Sequence, residues 1–235
     1  ALPICTWYRV VGDLKSKMTP AVVLHGGPGA PHNYVLGIVH LIASTGRPVI
    51  VYDQIGSGQS THLKDKPSEF WSVELFKEEL NLLLKELKVS KKYLLVGQSW
   101  GGILSFAHAV DKPKGLKGLI IANSLASVPK WLPEIERLVS ELPAVHRKAV
   151  AKGLKENNFT APEFAAANDY FTAQHLVRVP MTSDVADAFG QLAENPTVYE
   201  AMWGPVEFAP IGSLRTWDVE DQLKNIKVPT LLING

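Results

Sequence analysis

Short apolar runs ending in glycine-rich turns, separated by segments of helical periodicity, organise most of this chain. Thr6 to Val11 alternates polar and apolar residues, which predicts a strand. Ala21 to Leu24 and Pro48 to Tyr52 are continuous apolar runs, followed by His25-Gly26-Gly27-Pro28-Gly29 and Asp53-Gln54-Ile55-Gly56-Ser57-Gly58. Between Val73 and Leu87 the apolar residues Val73, Phe76, Leu80, Leu83, Leu84 and Leu87 fall three, four or one apart. That spacing is one face of a helix. Tyr93 to Val96, Leu116 to Ala122 and Thr230 to Ile233 read as further strands, and Gly102 to Val110 as a helix. Strands apolar throughout and alternating with helices predict an α/β fold: a mostly parallel sheet flanked by helices on both faces.

Ser127 to Pro210 has a different texture. It holds helical patches, Trp131, Trp203 and several prolines, and no convincing strand. Some 80 residues exceed what one crossover needs. The expected organisation is therefore an N-terminal part of the core over residues 1–126, an inserted helical cap over 127–210, and a return to the core over 211–235.

Composition narrows the function classes. Of the 235 residues 46% are hydrophobic, enough for a sizeable core, and the net charge of +1 is spread without basic clusters. Neither nucleic acid nor a membrane surface is an expected partner. No apolar run approaches the roughly 18 residues of a membrane span. A single cysteine, Cys5, excludes an internal disulfide. No metal-ligand spacing is present, and the glycine loops lack both the P-loop lysine and a complete G-x-G-x-x-G, so no metal or cofactor is expected.

The chemistry is carried by Gly97-Gln98-Ser99-Trp100-Gly101. It fits G-x-S-x-G, the sharp strand-to-helix turn that presents a serine nucleophile, with a strand before it and a helix after it. The glycines leave room for a strained backbone at Ser99. In a parallel sheet the strand C-termini share one edge, so His25-Gly26-Gly27-Pro28-Gly29 is expected beside Ser99. The backbone N–H groups of Gly27 and Trp100 are the candidate oxyanion donors.

Taken together, His25-Gly26-Gly27-Pro28-Gly29 with His32 and Tyr34, Tyr52-Asp53-Gln54 with Gly56, Gly58 and Ser60, Gly97-Gln98-Ser99-Trp100-Gly101-Gly102, and Gly204-Pro205-Val206-Glu207-Phe208 resemble the proline iminopeptidases, across nearly the whole chain. These are α/β-hydrolase-fold serine aminopeptidases whose close relatives act as L-amino acid amidases. The resemblance implies that Ser99 attacks the scissile carbonyl of a small peptide or amino acid amide, releasing an N-terminal residue, proline favoured, through an acyl-enzyme. Glu207 matches the family's cap glutamate, which receives the substrate's α-ammonium. His25, Gly26, Asp53 and Gln54 are expected to shape the loops. Esterases, lactonases and acyltransferases of the same fold are the rival chemistry, and a catalytically inactive fragment or a non-catalytic binding protein is the rival class.

In this fold the chain order is Ser, then Asp or Glu, then His. The acid is expected just beyond Val228-Pro229-Thr230-Leu231-Leu232-Ile233 and the histidine further on, outside these residues. None of the residues in hand is expected to substitute. His108 lies nine residues after Ser99, about 13 Å along the same helix. His146 and His175 lie in the cap, and Asp218 and Asp221 on an expected surface helix from Trp217 to Ile226. The C-terminal part of the fold is therefore expected on a longer polypeptide or on a separate C-terminal fragment. Without it an apolar sheet edge would be exposed. The N-terminus is likewise expected to be clipped, since Thr6 to Val11 resembles the family's second strand.

Overall fold

A computed structural model describes residues 4–235. Six strands, β1 (Tyr8–Val11), β2 (Ala21–Leu24), β3 (Val49–Tyr52), β4 (Tyr93–Gln98), β5 (Leu116–Ala122) and β6 (Thr230–Ile233), form one sheet. Their spatial order is β1-β3-β2-β4-β5-β6. β1 runs antiparallel to β3, and the remaining pairs are parallel.

The pleat sorts each apolar run between two cores, which is why these strands are apolar at successive positions. Val22, Leu24, Ile50, Tyr52 and Leu95 pack with Phe76 and Leu80 of α2 (Val73–Glu86) and with Trp100 and Leu104 of α3 (Trp100–Ala109). Ala21, Val23, Val49, Val51 and Val96 face the other way, onto Val35 and onto Val39 of α1 (Leu36–Ala43). α1 is not legible in the pattern. Its residues are apolar nearly all round, Leu41 is 71% exposed, and only Val39 is fully buried, so no stripe marks a face.

Between β5 and β6 the described residues form helices and no strand: α4 (Val128–Ser140), α5 (Ala144–Glu156), α6 (Pro162–His175), α7 (Ser183–Glu194) and α8 (Thr197–Met202). They enclose a core of their own, centred on Ile135, Val150, Phe164, Phe171 and Phe208. Pro129 and Pro162 occupy first-turn positions of α4 and α6, where a missing N–H costs nothing. The two ends of this segment are tied together. Val128 N donates to Trp217 O at 2.9 Å, Val219 N to Ala126 O at 2.9 Å, and Ser127 Oγ to Asp218 Oδ2 at 2.7 Å. That tie corrects the helix expected from Trp217 to Ile226. Trp217 is extended and Asp218 pairs with Ser127 as an isolated antiparallel bridge, and only a 3-10 helix, Glu220–Asn225, follows.

β6 stands at one sheet edge, where Leu231, Leu232 and Ile233 are all exposed. Among the described residues no helix is long and apolar enough to cross a membrane.

β4 and α3 meet at Gly97 and Gly101 with backbone against backbone. A Cβ at Gly97 would stand 2.2 Å from Gly101 O, and one at Gly101 would stand 2.2 Å from Leu24 O. Both obstacles are main chain and cannot rotate away. Gly101→Ala is expected to destabilise the fold by about 1–3 kcal/mol through overpacking. A urea unfolding midpoint equal to that of the parent protein would contradict it.

Candidate active site

Ser99 occupies the residue between β4 and α3 with φ 53° and ψ −123°. This is a left-handed conformation that costs a non-glycine residue on the order of 1–3 kcal/mol. Neighbours hold it there. Ser99 N donates to Ala122 O at 3.0 Å, and Ser124 Oγ donates to Ser99 O at 2.7 Å, so the end of β5 grips both sides of the peptide. The side chain stands at the N-terminus of α3, partly exposed. Neither the Gly27 nor the Trp100 backbone N–H has a hydrogen-bond partner among the described residues. Both are open donors, Gly27 in the turn after β2 and Trp100 because the first N–H of a helix has no partner within it.

The loop after β2 lies directly on the serine. A Cβ at Gly26 would stand 2.9 Å from Ser99 Cβ and 3.0 Å from Gln98 Oε1, and it would collide with the Tyr34 hydroxyl. Gly26 N donates to Tyr34 Oη, which donates in turn to Gln98 Oε1 at 2.6 Å. Burial pushes the Tyr34 hydroxyl pKa far up, so it keeps the proton that this chain of bonds needs. Gly27 follows with φ 107°, which only glycine adopts without strain.

Loop residues anticipated as shaping the site lock the two glycine turns together. Asp53 is buried. Its Oδ1 accepts from His32 N at 2.7 Å and His32 Nδ1 at 2.9 Å, and its Oδ2 accepts from Gln59 N at 2.9 Å. Burial pushes its pKa up, but the hydrogen bonds from His32 and Gln59 outweigh that and hold it below the ordinary carboxylate value. Gln54 N donates to His25 Nε2 at 2.9 Å, and Gln54 Oε1 accepts from Trp100 Nε1 at 2.7 Å. Since His25 Nε2 accepts, Nδ1 carries the proton and donates to Gly26 O at 3.0 Å. Burial lowers the pKa of His25, so the ring is neutral, and both its nitrogens are committed to the loops.

Two residues of this region carried no signal in the chain pattern. Tyr34 enters only as part of a resemblance, without a role. Glu79 reads as the polar side of α2. In the structure its carboxylate accepts from Ile55 N at 3.0 Å and from Thr6 Oγ1, pinning the turn that follows Gln54. Burial raises its pKa to about 7, against the opposing bonds from Thr6 and Ile55.

Glu207 reaches the site from the far end of the helical segment. Tyr199 Oη donates to Glu207 Oε2 at 3.3 Å, and Trp203 Nε1 donates to Glu207 O at 3.0 Å. Burial raises its carboxyl pKa to about 7, only partly offset by Tyr199, and no cation of the described residues pairs with it. Ser99, Gly27, Asn123, Trp131 and Glu207 all border two cavities, of about 470 Å³ and about 860 Å³. Trp100, Trp203, Asn234 and Gly235 also line the smaller one.

Among the described residues no histidine hydrogen-bonds Ser99. His108 accepts from or donates to Tyr93 Oη at 2.6 Å, at the other end of α3. His146 stacks on Tyr170 and His175 packs on Phe171. Asp218 is engaged with Ser127. No group of three His, Cys, Asp or Glu among the described residues could hold a metal.

The profile described as the alpha/beta hydrolase fold matches residues 19–235. A proline iminopeptidase of Lactiplantibacillus plantarum is 38% identical over 232 residues, covering 98% of this chain and 79% of that protein. The crystal structure of VinJ superposes with a TM-score of 0.93 at 45% identity, covering 97% of this chain and 77% of that one. A proline iminopeptidase of Mycobacterium smegmatis superposes with a TM-score of 0.86 at 41% identity, again over 97% and 77%.

Glu79 and Glu207 take up protons more readily folded than unfolded. Each contributes stability that is full below pH 4.5 and is lost as pH rises through about 7. Glu79→Gln keeps an acceptor for Ile55 without the charge. Its melting temperature is expected to fall less between pH 5 and 8 than that of the parent, and parallel curves would contradict this.

Proposed function

Since this chain belongs to the proline iminopeptidase family of α/β-hydrolase-fold enzymes, we propose that it is a serine aminopeptidase releasing an N-terminal residue, proline favoured, from short peptides or amino acid amides. The observation that carries the reading is the convergence of Ser99, Gly27 and Glu207, from three distant segments, on the walls of the same two cavities. A nucleophile, an oxyanion donor and an unpaired carboxylate at one place suit a substrate with a carbonyl next to a cation.

In this reading Ser99 Oγ adds to the carbonyl carbon. The N–H groups of Gly27 and Trp100 stabilise the oxyanion, an effect worth a few kcal/mol per donor. Glu207 receives the α-ammonium through a charge-assisted hydrogen bond. Binding of the cation also relieves the cost of burying an unpaired carboxylate. The acyl-enzyme then yields to water. Ser99 needs a proton acceptor, and no described residue is placed to be one. It is supplied from polypeptide beyond these residues, on the same chain or as a separate C-terminal fragment.

Assays with the full-length product of the native gene test the reading. A fluorophosphonate is expected to label Ser99, and Ser99→Ala to abolish both labelling and hydrolysis; absence of labelling would favour a binding protein. Glu207→Gln is expected to lower kcat/KM on proline amides by about ten- to a hundredfold, from a charged hydrogen bond worth about 1.5–3 kcal/mol. Acetylating the substrate's amine is expected to abolish turnover. Equal rates with the amine blocked would overturn the aminopeptidase in favour of an esterase or lactonase. Because Glu207 must be ionised to hold a cation, kcat/KM is expected to rise with pH through about 7.

A further inference from the structure

Seven lysines stand on two turns at the end of the sheet opposite Ser99, and the reaction uses none of them. Lys85, Lys88, Lys91 and Lys92 lie on the end of α2 and the turn into β4, and Lys112, Lys114 and Lys117 on the way from α3 into β5. All are exposed. Twenty positions separate Lys92 from Lys112, but the fold brings the two turns together. Tyr93 N donates to Gly115 O at 3.0 Å, and a Cβ at Gly115 would stand 1.9 Å from Ser90 O. β4 has six residues, which sets this end of the sheet about 20 Å from Ser99. β4 and β5 are each paired on both sides, so the lysines lie away from the edge strand β6.

The charges there are unbalanced. Between residues 85 and 117 the acids are Glu86 and Asp111, and Asp111 is already paired with Lys77 at 2.8 Å. None of the seven lysines has an ion-pair partner among the described residues. Seven lysines against two acids give this span a net charge of +5, in a chain whose net charge is +1. The helical segment over the site compensates: residues 127–210 hold 11 Asp and Glu against seven Lys and Arg. The molecule is therefore positive below the sheet and negative around the site. Such a distribution orients a protein on an extended negative surface.

The chemistry of the face says which surface. Residues 85–117 contain no arginine, so they offer no fork for bidentate phosphate recognition. They expose no aromatic side chain on which a base could stack. They expose no large apolar side chain that could insert between lipid tails. Hydrated point charges of one sign suit the diffuse negative potential of anionic lipid headgroups. We propose that this face docks the protein on a membrane surface rich in anionic lipid. The lysines hold it there by electrostatic attraction alone, with Ser99 and the helical segment turned to the aqueous side.

The test is co-sedimentation of the full-length gene product with vesicles of phosphatidylcholine, pure or mixed with about one-third phosphatidylglycerol. Binding is expected on the mixed vesicles only, weaker by about tenfold or more in about 0.3 M salt than in about 0.05 M. A triple variant carrying Lys91→Gln, Lys92→Gln and Lys114→Gln is expected to bind them about tenfold or more weakly, with its melting temperature unchanged. A second triple variant carries Lys148→Gln, Lys152→Gln and Lys155→Gln on α5, and is expected to bind like the parent. Equal binding to both kinds of vesicle, or binding to neither, overturns the proposal. The same loss in the two variants assigns the attraction to net charge and overturns the placement, as does a loss in neither. Tighter binding to a duplex oligonucleotide than to the mixed vesicles at the same salt overturns lipid as the partner in favour of nucleic acid.

Discussion

The crossing of β4 and α3 at Gly97 and Gly101 is the constraint from which the site follows. With no Cβ on either residue, the strand, the helix and the carbonyl of Leu24 on β2 come into main-chain contact. The chain must then reverse within one residue, and that residue is Ser99 at φ 53°. The same closeness sets the loop after β2 against the serine. It also leaves the first N–H of α3 open at the point where the turn ends. Strain at Ser99 is tolerated because Ala122 at the end of β5 and Ser124 just beyond it hold its peptide from both sides. A backbone conformation that is unfavourable alone persists where its surroundings over-determine it.

A second layer makes the arrangement rigid. The glycine turns after β2 and β3 are long enough to move independently, yet His25, Asp53, Gln54 and Glu79 bind them into one unit. Asp53 anchors His32 and Gln59, Gln54 bridges His25 to Trp100, and Glu79 holds Ile55. Buried polar groups rigidify a structure when all are satisfied. Here only Tyr52 Oη and Trp71 Nε1 are buried without a partner among the described residues. Oxyanion donors act by being in place before charge develops. The network fixes the turn that carries Gly27 and the indole of Trp100 relative to each other.

Glu207 is of the opposite kind. The loop carboxylate of Asp53 is saturated with donors, whereas Glu207 has one long bond from Tyr199 and an open cavity in front of it. Burial raises its pKa to about 7, because a carboxylate held away from water is costly to ionise. An uncompensated charge of this sort prefers a ligand that completes it.

Local physics made much of this legible from the chain alone. Continuous apolar runs mark strands buried on both faces, the stripe from Val73 to Leu87 marks α2, and G-x-S-x-G between strand and helix marks the turn at Ser99. Each depends on neighbours in sequence. α1 escaped because it is apolar on its exposed side too, and the helix expected from Trp217 to Ile226 gave way to pairing with Ser127 across the fold. Glu79 looks like any solvent-facing acid of an amphipathic helix until Thr6 and Ile55 close over it. The sequence by itself determined the fold class, the strand-to-helix turn at Ser99 and the glycine turns, because steric and periodic constraints act over a few residues. Only the tertiary structure decided which carboxylates lose water and how large the two cavities are. Burial and enclosed volume are properties of surfaces brought together from distant segments, and no stretch of chain encodes them on its own.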